Sequence, residues 1–214
     1  MAKDAWPFIA LLGGITAAFW YAGCASSSGV LYVFSAIFFM LTLFVCFFFR
    51  DPERKVTKGD DIAISPADGR VQFLEDIAHD DFIGGPAKKI SIFLSVFNVH
   101  INRSPIEGKV AYKAYRPGKM LPAFKSHASE ENERATIGVE GPAGRVLVHQ
   151  ITGFIARRIV CRPEVGTPLA QGERYGLIKF GSCTELIIPA SAEVLVNIGD
   201  KVVGGQTVLA KLKK

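Results

Sequence analysis

Cysteine and histidine are both scarce, four of each in 214 residues. Cys24 and Cys46 lie in or beside long apolar runs, while Cys161 and Cys183 stand apart with neither metal-ligand spacing nor an implied partner. That leaves metal chemistry without a ligand set, and no metal is expected. A basic stripe interleaved with aromatics is also missing, so nucleic acid is not an expected partner despite a net charge of +5. A domain held against anionic lipid accounts for that charge more economically.

What the chain has in excess is apolar sequence at its start. Residues 7–23 are apolar with small polar interruptions, and residues 30–49 are apolar almost throughout. A bilayer core takes about 20 apolar residues as helix. The second run meets that length; the first is shorter, and an interfacial or re-entrant piece is the alternative for it. A cleaved signal peptide is disfavoured, because no small-residue cleavage pattern precedes a soluble start and a stronger apolar run follows. Lys3 precedes the first run, the linker at residues 24–29 is uncharged, and Arg50, Arg54, Lys55 and Lys58 crowd the exit of the second. By the positive-inside rule both flanks are cytoplasmic. The expected organisation is a helical-hairpin membrane anchor over residues 1–50 and a catalytic β domain over residues 51–214, on the cytoplasmic side of the cell's inner membrane.

From Asp60 the pattern changes to short β-rich runs punctuated by Gly, Pro and Asp: residues 61–64, 70–74, 89–99, 109–115, 134–139, 145–155, 177–180, 185–188, 193–196 and 207–211. This spacing predicts a mostly β barrel or sandwich. Residues 156–162 are the best candidate for a short helix, and residues 126–132 read as a polar loop. Residues 65–71 and 192–208 share a strand-turn-strand grammar resembling lipoyl and biotinyl carriers, without the exposed hairpin lysine that a carrier needs.

Chemistry must come from ionisable or nucleophilic side chains. His79 sits in a charged stretch and reads as a solvated turn residue, His127 as a loop residue or substrate contact, and His149 as a satisfied strand histidine. His100 differs: it ends the run at residues 89–99 and opens into a polar loop, where an imidazole serves as general acid or base. Asp68, within Pro66-Ala67-Asp68-Gly69, is either a turn former or the carboxylate that orients that base. Ser182 follows Gly181 in a tight bend between two strand-like runs, where its hydroxyl is placed to attack the chain itself. Asp68, His100 and Ser182 together supply the groups that activate a serine nucleophile.

Several motifs in order carry a resemblance: Phe48-Phe49-Arg50-Asp51-Pro52-Glu53-Arg54, Ser65-Pro66-Ala67-Asp68-Gly69, Phe97-Asn98-Val99-His100-Ile101-Asn102-Arg103-Ser104-Pro105, Asn132-Glu133-Arg134 and Phe180-Gly181-Ser182. From about Phe48 to the C-terminus the chain resembles the short form of phosphatidylserine decarboxylase. The resemblance implies a proenzyme that cleaves itself between Gly181 and Ser182, using Asp68, His100 and Ser182. The product is a pyruvoyl cofactor derived from Ser182, which forms a Schiff base with phosphatidylserine in the membrane and serves as electron sink while CO2 leaves to give phosphatidylethanolamine. His100 is then the candidate to return a proton to the α-carbon.

The same resemblance implies that the cleaved C-terminal subunit stays with the larger fragment as a heterodimer, with room for a higher oligomer. Two positions depart from the family pattern: Phe97 stands where some members carry a second histidine, and Cys183 follows the serine, where it reads as a passive neighbour. The mixed apolar and basic stretch at residues 120–125 is expected to rest on lipid. The alternatives are a membrane-tethered serine hydrolase using Asp68, His100 and Ser182 repeatedly, and a non-catalytic β module.

Overall fold

A computed structural model describes residues 1–119, 121, 131–153, 158–179 and 182–213. Its contacts separate into two compact units, Met1–Glu53 and Arg54–Lys214.

The first unit is a pair of helices, α1 (Trp6–Ser26) and α2 (Gly29–Phe48), led by a short 3-10 turn (Lys3–Ala5). Pro7 falls in the first turn of α1, where its missing N–H costs nothing. Ser27 takes a left-handed conformation (φ 50°) and ends α1. The helices meet through Phe19, which stacks on Phe34 and Phe38 at 5.4 and 5.6 Å, and through Ser35, whose hydroxyl donates to the Thr16 carbonyl at 3.0 Å. Both helices are long and apolar enough to cross a membrane, each about 30 Å long at 1.5 Å per residue.

The second unit is built of antiparallel strands. Its main sheet holds eight: β2 (Gly69–Asp80), β3 (Gly85–Leu94), β5 (Gly108–Arg116), β6 (Arg134–Gly141), β7 (Gly144–Thr152), β9 (Pro168–Leu169), β11 (Ser182–Pro189) and β13 (Lys201–Val202). They run in the order β13-β2-β3-β11-β7-β6-β5-β9 and curl into a half-barrel. Two three-stranded sheets complete the unit: β1 (Ile62–Ile64), β14 (Val208–Lys211) and β12 (Glu193–Val194), and β4 (Ile101–Arg103), β10 (Arg174–Lys179) and β8 (Arg158–Cys161). The core gathers Val71, Ile90, Ile92, Ile137, Val148 and Leu186 among others. Each such side chain contributes about 1.5–3 kcal/mol on burial.

Strand β11 lies between β3 and β7 and is buried along nearly its whole length. That double-sided burial explains its continuous apolar run.

Three local expectations are corrected. The run at residues 89–99 ends as a strand at Leu94, because the Asn98 side chain accepts from both the amide and the hydroxyl of Ser95 (2.9 and 2.8 Å) and turns the chain. His100 therefore leads into β4 instead of ending β3. His79 is exposed but lies on β2, which runs on to Asp80 because its charged residues occupy an edge that water can reach. Within residues 156–162, Arg158–Cys161 form strand β8 against β10 rather than helix: pairing of Ile159 and Val160 across the sheet overrides the local reading. The stretches sharing a carrier-like grammar pair with each other, Lys201 opposite Arg70 and Val202 opposite Gly69. His127, Gly181 and, apart from Leu121, the stretch at residues 120–125 lie outside the described residues.

Candidate active site

The start of β11 organises the site. Ser182 pairs with Leu94 on one side and Thr152 on the other. Its side chain is fully buried, and its hydroxyl finds no hydrogen-bond partner among the described residues. Buried hydroxyls are ordinarily satisfied; among the described residues the buried Tyr175 hydroxyl shares this lack of a partner.

Asp68 reaches the same end of the sheet. Arg70 opposes Phe93, and Phe93 opposes Cys183; one residue further along that register, Gly69 and Ser182 flank Leu94, about 10 Å apart across two strand spacings. The approach is close: a Cβ on Gly69 would sit 2.3 Å from the Phe93 carbonyl oxygen. The Asp68 carboxylate accepts from the Gly204 amide at 2.8 Å through Oδ1 and pairs with Arg54 at 2.7 Å through Oδ2.

His100 is 2% exposed, and its carbonyl accepts from the Ile178 amide at 3.2 Å, four residues before Ser182. Ring nitrogen Nδ1 lies 3.0 Å from the Asn98 carbonyl. A carbonyl only accepts, so in the neutral ring Nδ1 carries the proton and Nε2 is the basic nitrogen. The His100 ring is thus oriented by Asn98, while the bonds of Asp68 go to Arg54 and Gly204. The turn made by Asn98 is the same one that cut β3 short.

A buried polar network underlies Ser182 on its own face of the sheet. Asn102 donates to the Thr184 hydroxyl at 3.0 Å, and Gln150 donates to the Asn102 side-chain oxygen at 2.8 Å. Asn132 clamps the neighbouring turn, donating to the carbonyls of Thr152 and Leu121 (2.8 Å each) while its side-chain oxygen accepts from the Leu121 amide. Arg54, Asn98 and Asn102 all sit inside the quoted motifs, and that was the available signal. Gln150 and Thr184 carried none, because strand patterning does not distinguish a buried polar residue from one facing water.

The other candidates fall away. His79 is exposed, 3.4 Å from Asp81. His149 is buried on β7, with Nδ1 2.8 Å from the Thr136 hydroxyl. Burial pushes the Cys183 thiol well above its ordinary pKa, so it is held neutral. No cluster of metal-ligating side chains occurs among the described residues.

A mostly β unit whose central strand starts at a buried serine, with a buried histidine and an aspartate on neighbouring elements, is the frame in which the comparison with known decarboxylases falls. The family match is specific: residues 41–210 fit the family model described as phosphatidylserine decarboxylase, and the chain belongs to that family of decarboxylases. It is similar to the phosphatidylserine decarboxylase proenzyme of Carboxydothermus hydrogenoformans, 51% identical over 204 residues, covering 91% of this chain and 94% of the relative. The proenzyme of the same name from Symbiobacterium thermophilum is 47% identical over 213 residues, covering 99% and 95%, and that of Geobacter sulfurreducens is 43% identical over 217 residues, covering 99% and 96%.

Proposed function

We propose that this chain is a membrane-held proenzyme that cuts itself between Gly181 and Ser182 and then decarboxylates phosphatidylserine. The orphaned, fully buried hydroxyl of Ser182 is the observation that carries the reading. Nε2 of His100 takes the hydroxyl proton as Oγ attacks the carbonyl carbon of Gly181. The C–N bond breaks, the amide nitrogen takes the proton, and an ester replaces the amide. Removal of the Ser182 α-proton expels the Gly181 carboxylate and leaves dehydroalanine. Its tautomer adds water and releases ammonia, leaving a pyruvoyl end on the C-terminal fragment.

A pyruvoyl group at position 182 supplies a ketone for the substrate amine and a sink for the electrons left as CO2 departs. The residues present suit it. Position 182 is fully buried, and the Asn102, Thr184 and Gln150 network holds the strand beneath it in one place. His100 is the group to return a proton to the α-carbon. Asp68 acts from the same end of the sheet through its charge and its grip on Arg54 and Gly204.

Two helices of membrane-spanning length suit a diacyl substrate, which leaves a bilayer only at about 0.8 kcal/mol per CH2. The basic residues after α2 support a catalytic unit on the cytoplasmic side. The cleaved subunits remain together, since the strand that begins at Ser182 is hydrogen-bonded on both sides.

Denaturing electrophoresis with mass spectrometry tests the reading. The expected result is a fragment ending at Gly181 and a small one with a blocked N-terminus, lighter than its serine form by one ammonia. An intact chain that nevertheless decarboxylates phosphatidylserine would sink the reading, and an intact chain labelled by serine-reactive probes would point to the hydrolase.

A further inference from the structure

The face of the sheet turned away from Ser182 carries a cavity that the decarboxylase reading does not use. Alternation along β11 sends Ser182, Thr184, Leu186 and Ile188 to one side and Cys183, Glu185 and Ile187 to the other. Leu186 and Ile188 join the main core, whereas Ile187 packs in a separate cluster and Glu185 lines a cavity of about 800 Å³. The cavity floor is polar in register, with Thr136, His149 and Glu185 side by side across β6, β7 and β11.

Two guanidinium groups face this cavity from one cross-strand pair. Arg134 on β6 lies opposite Arg116 on β5, and both line the cavity. Like charges directly opposite each other destabilise an antiparallel pair. Arg116 reaches the Asn132 carbonyl at 3.4 Å. The guanidinium of Arg134 is half-buried and makes no side-chain hydrogen bond or close ion pair with a described residue, though Glu185 attracts it through space. A guanidinium carries five donors, and leaving them without acceptors in a partly buried site is costly.

The acids around the cavity are already engaged. Glu185 accepts from Ser91 at 3.2 Å and lies 3.8 Å from Lys89. Lys89 in turn pairs with Glu75 at 2.9 Å. Asp80 caps the amides of Phe82 and Ile83, and Asp81 pairs with His79. His149 stays neutral, because burial and then the nearby Arg134, Lys89 and Arg116 push it down to about 3. Its Nδ1 lies 2.8 Å from the Thr136 hydroxyl.

We propose that this cavity binds a phosphate-type oxyanion between Arg134 and Arg116. Two guanidinium groups set opposite each other concentrate positive charge at one place, and phosphate matches it in charge and in the planar geometry a guanidinium recognises. The volume far exceeds that of the bare ion. The ligand is therefore a phosphate carried on a larger body, a lipid head group or a soluble phosphorylated molecule, walled by Phe82, Tyr112 and Tyr115.

The test is arginine footprinting on the full chain in detergent. Phenylglyoxal labelling of Arg134 is followed by peptide mass spectrometry, alone, with inorganic phosphate, and with a short-chain phosphatidic acid. Labelling of Arg134 is expected to slow about tenfold in the presence of phosphate, while the exposed Arg145 keeps its rate. Protection by both probes supports a site open to soluble phosphates, and protection by the lipid alone supports a head-group site. Equal labelling of Arg134 under all three conditions overturns the proposal. Arg134→Gln is expected to weaken phosphate binding about tenfold; a chain that melts like the parent and binds phosphate equally well overturns it too. Neither readout depends on whether the chain is cut at Ser182.

Discussion

Ser182 is described by two facts that belong together: complete burial and a hydroxyl with no hydrogen-bond partner among the described residues. Ser182→Ala is expected to leave the chain as a single uncut species without decarboxylase activity, read by electrophoresis and CO2 release. His100→Gln keeps volume and a polar tip but loses the proton acceptor. Because general-base assistance is worth about 10²–10⁴-fold, self-cleavage should slow by that order in a time course of newly made chain. Asp68 separates into two parts. Asp68→Asn keeps an acceptor for the Gly204 amide and loses the ion pair with Arg54, whereas Arg54→Gln removes the same pair from the other side. If the charge of Asp68 is what matters, Asp68→Asn slows cleavage and Arg54→Gln does not; equal slowing by both assigns the effect to the ion pair.

At the scale of the strand, β2 can begin beside β3 only because residue 69 has no side chain. Gly69→Ala puts a carbon 2.3 Å from the Phe93 carbonyl oxygen and must push the strands apart. A loss of roughly 1–3 kcal/mol, typical of overpacking, is expected as a lower melting temperature. Strand β7 holds a pH dependence. The pKa of His149 in the fold lies at about 3 against 6.5 for a free ring, so between those values the unfolded chain binds more protons and stability falls as pH drops. Glu185 works in the opposite direction, since burial raises its pKa even against Lys89. Melting curves of the parent and of His149→Gln isolate the histidine: the parent should lose stability faster on acidification from pH 6.5 towards 3, and parallel curves would exclude the effect.

For the whole molecule, the two helices and the strand unit carry separate predictions. Phe38→Lys places a charge inside α2 beside Phe19, where insertion costs about 2.5–3.5 kcal/mol. The variant should shift from the membrane pellet to the soluble fraction. The cytoplasmic assignment is checked by a protease site at the C-terminus, cut in inverted vesicles and protected in right-side-out cells. Protection in the inverted vesicles would reverse the orientation.

The amino-acid sequence by itself determined the two apolar helices, the mostly β second unit, most of its strands and the family, because each rests on local periodicity or on contiguous motifs. It also singled out Asp68, His100 and Ser182 as residue types able to do the chemistry. Only the tertiary structure decided how they are held. The side chain of Asn98 ends β3 early and its carbonyl aims the His100 ring, Asp68 answers to Arg54 and Gly204, and Asn102, Gln150 and Thr184 meet beneath Ser182. Those contacts join residues up to 136 positions apart, and no pattern along the chain encodes a hydrogen bond made across it. The opposed pair Arg116 and Arg134 was hidden for the same reason: two arginines become neighbours only when β5 and β6 settle into register.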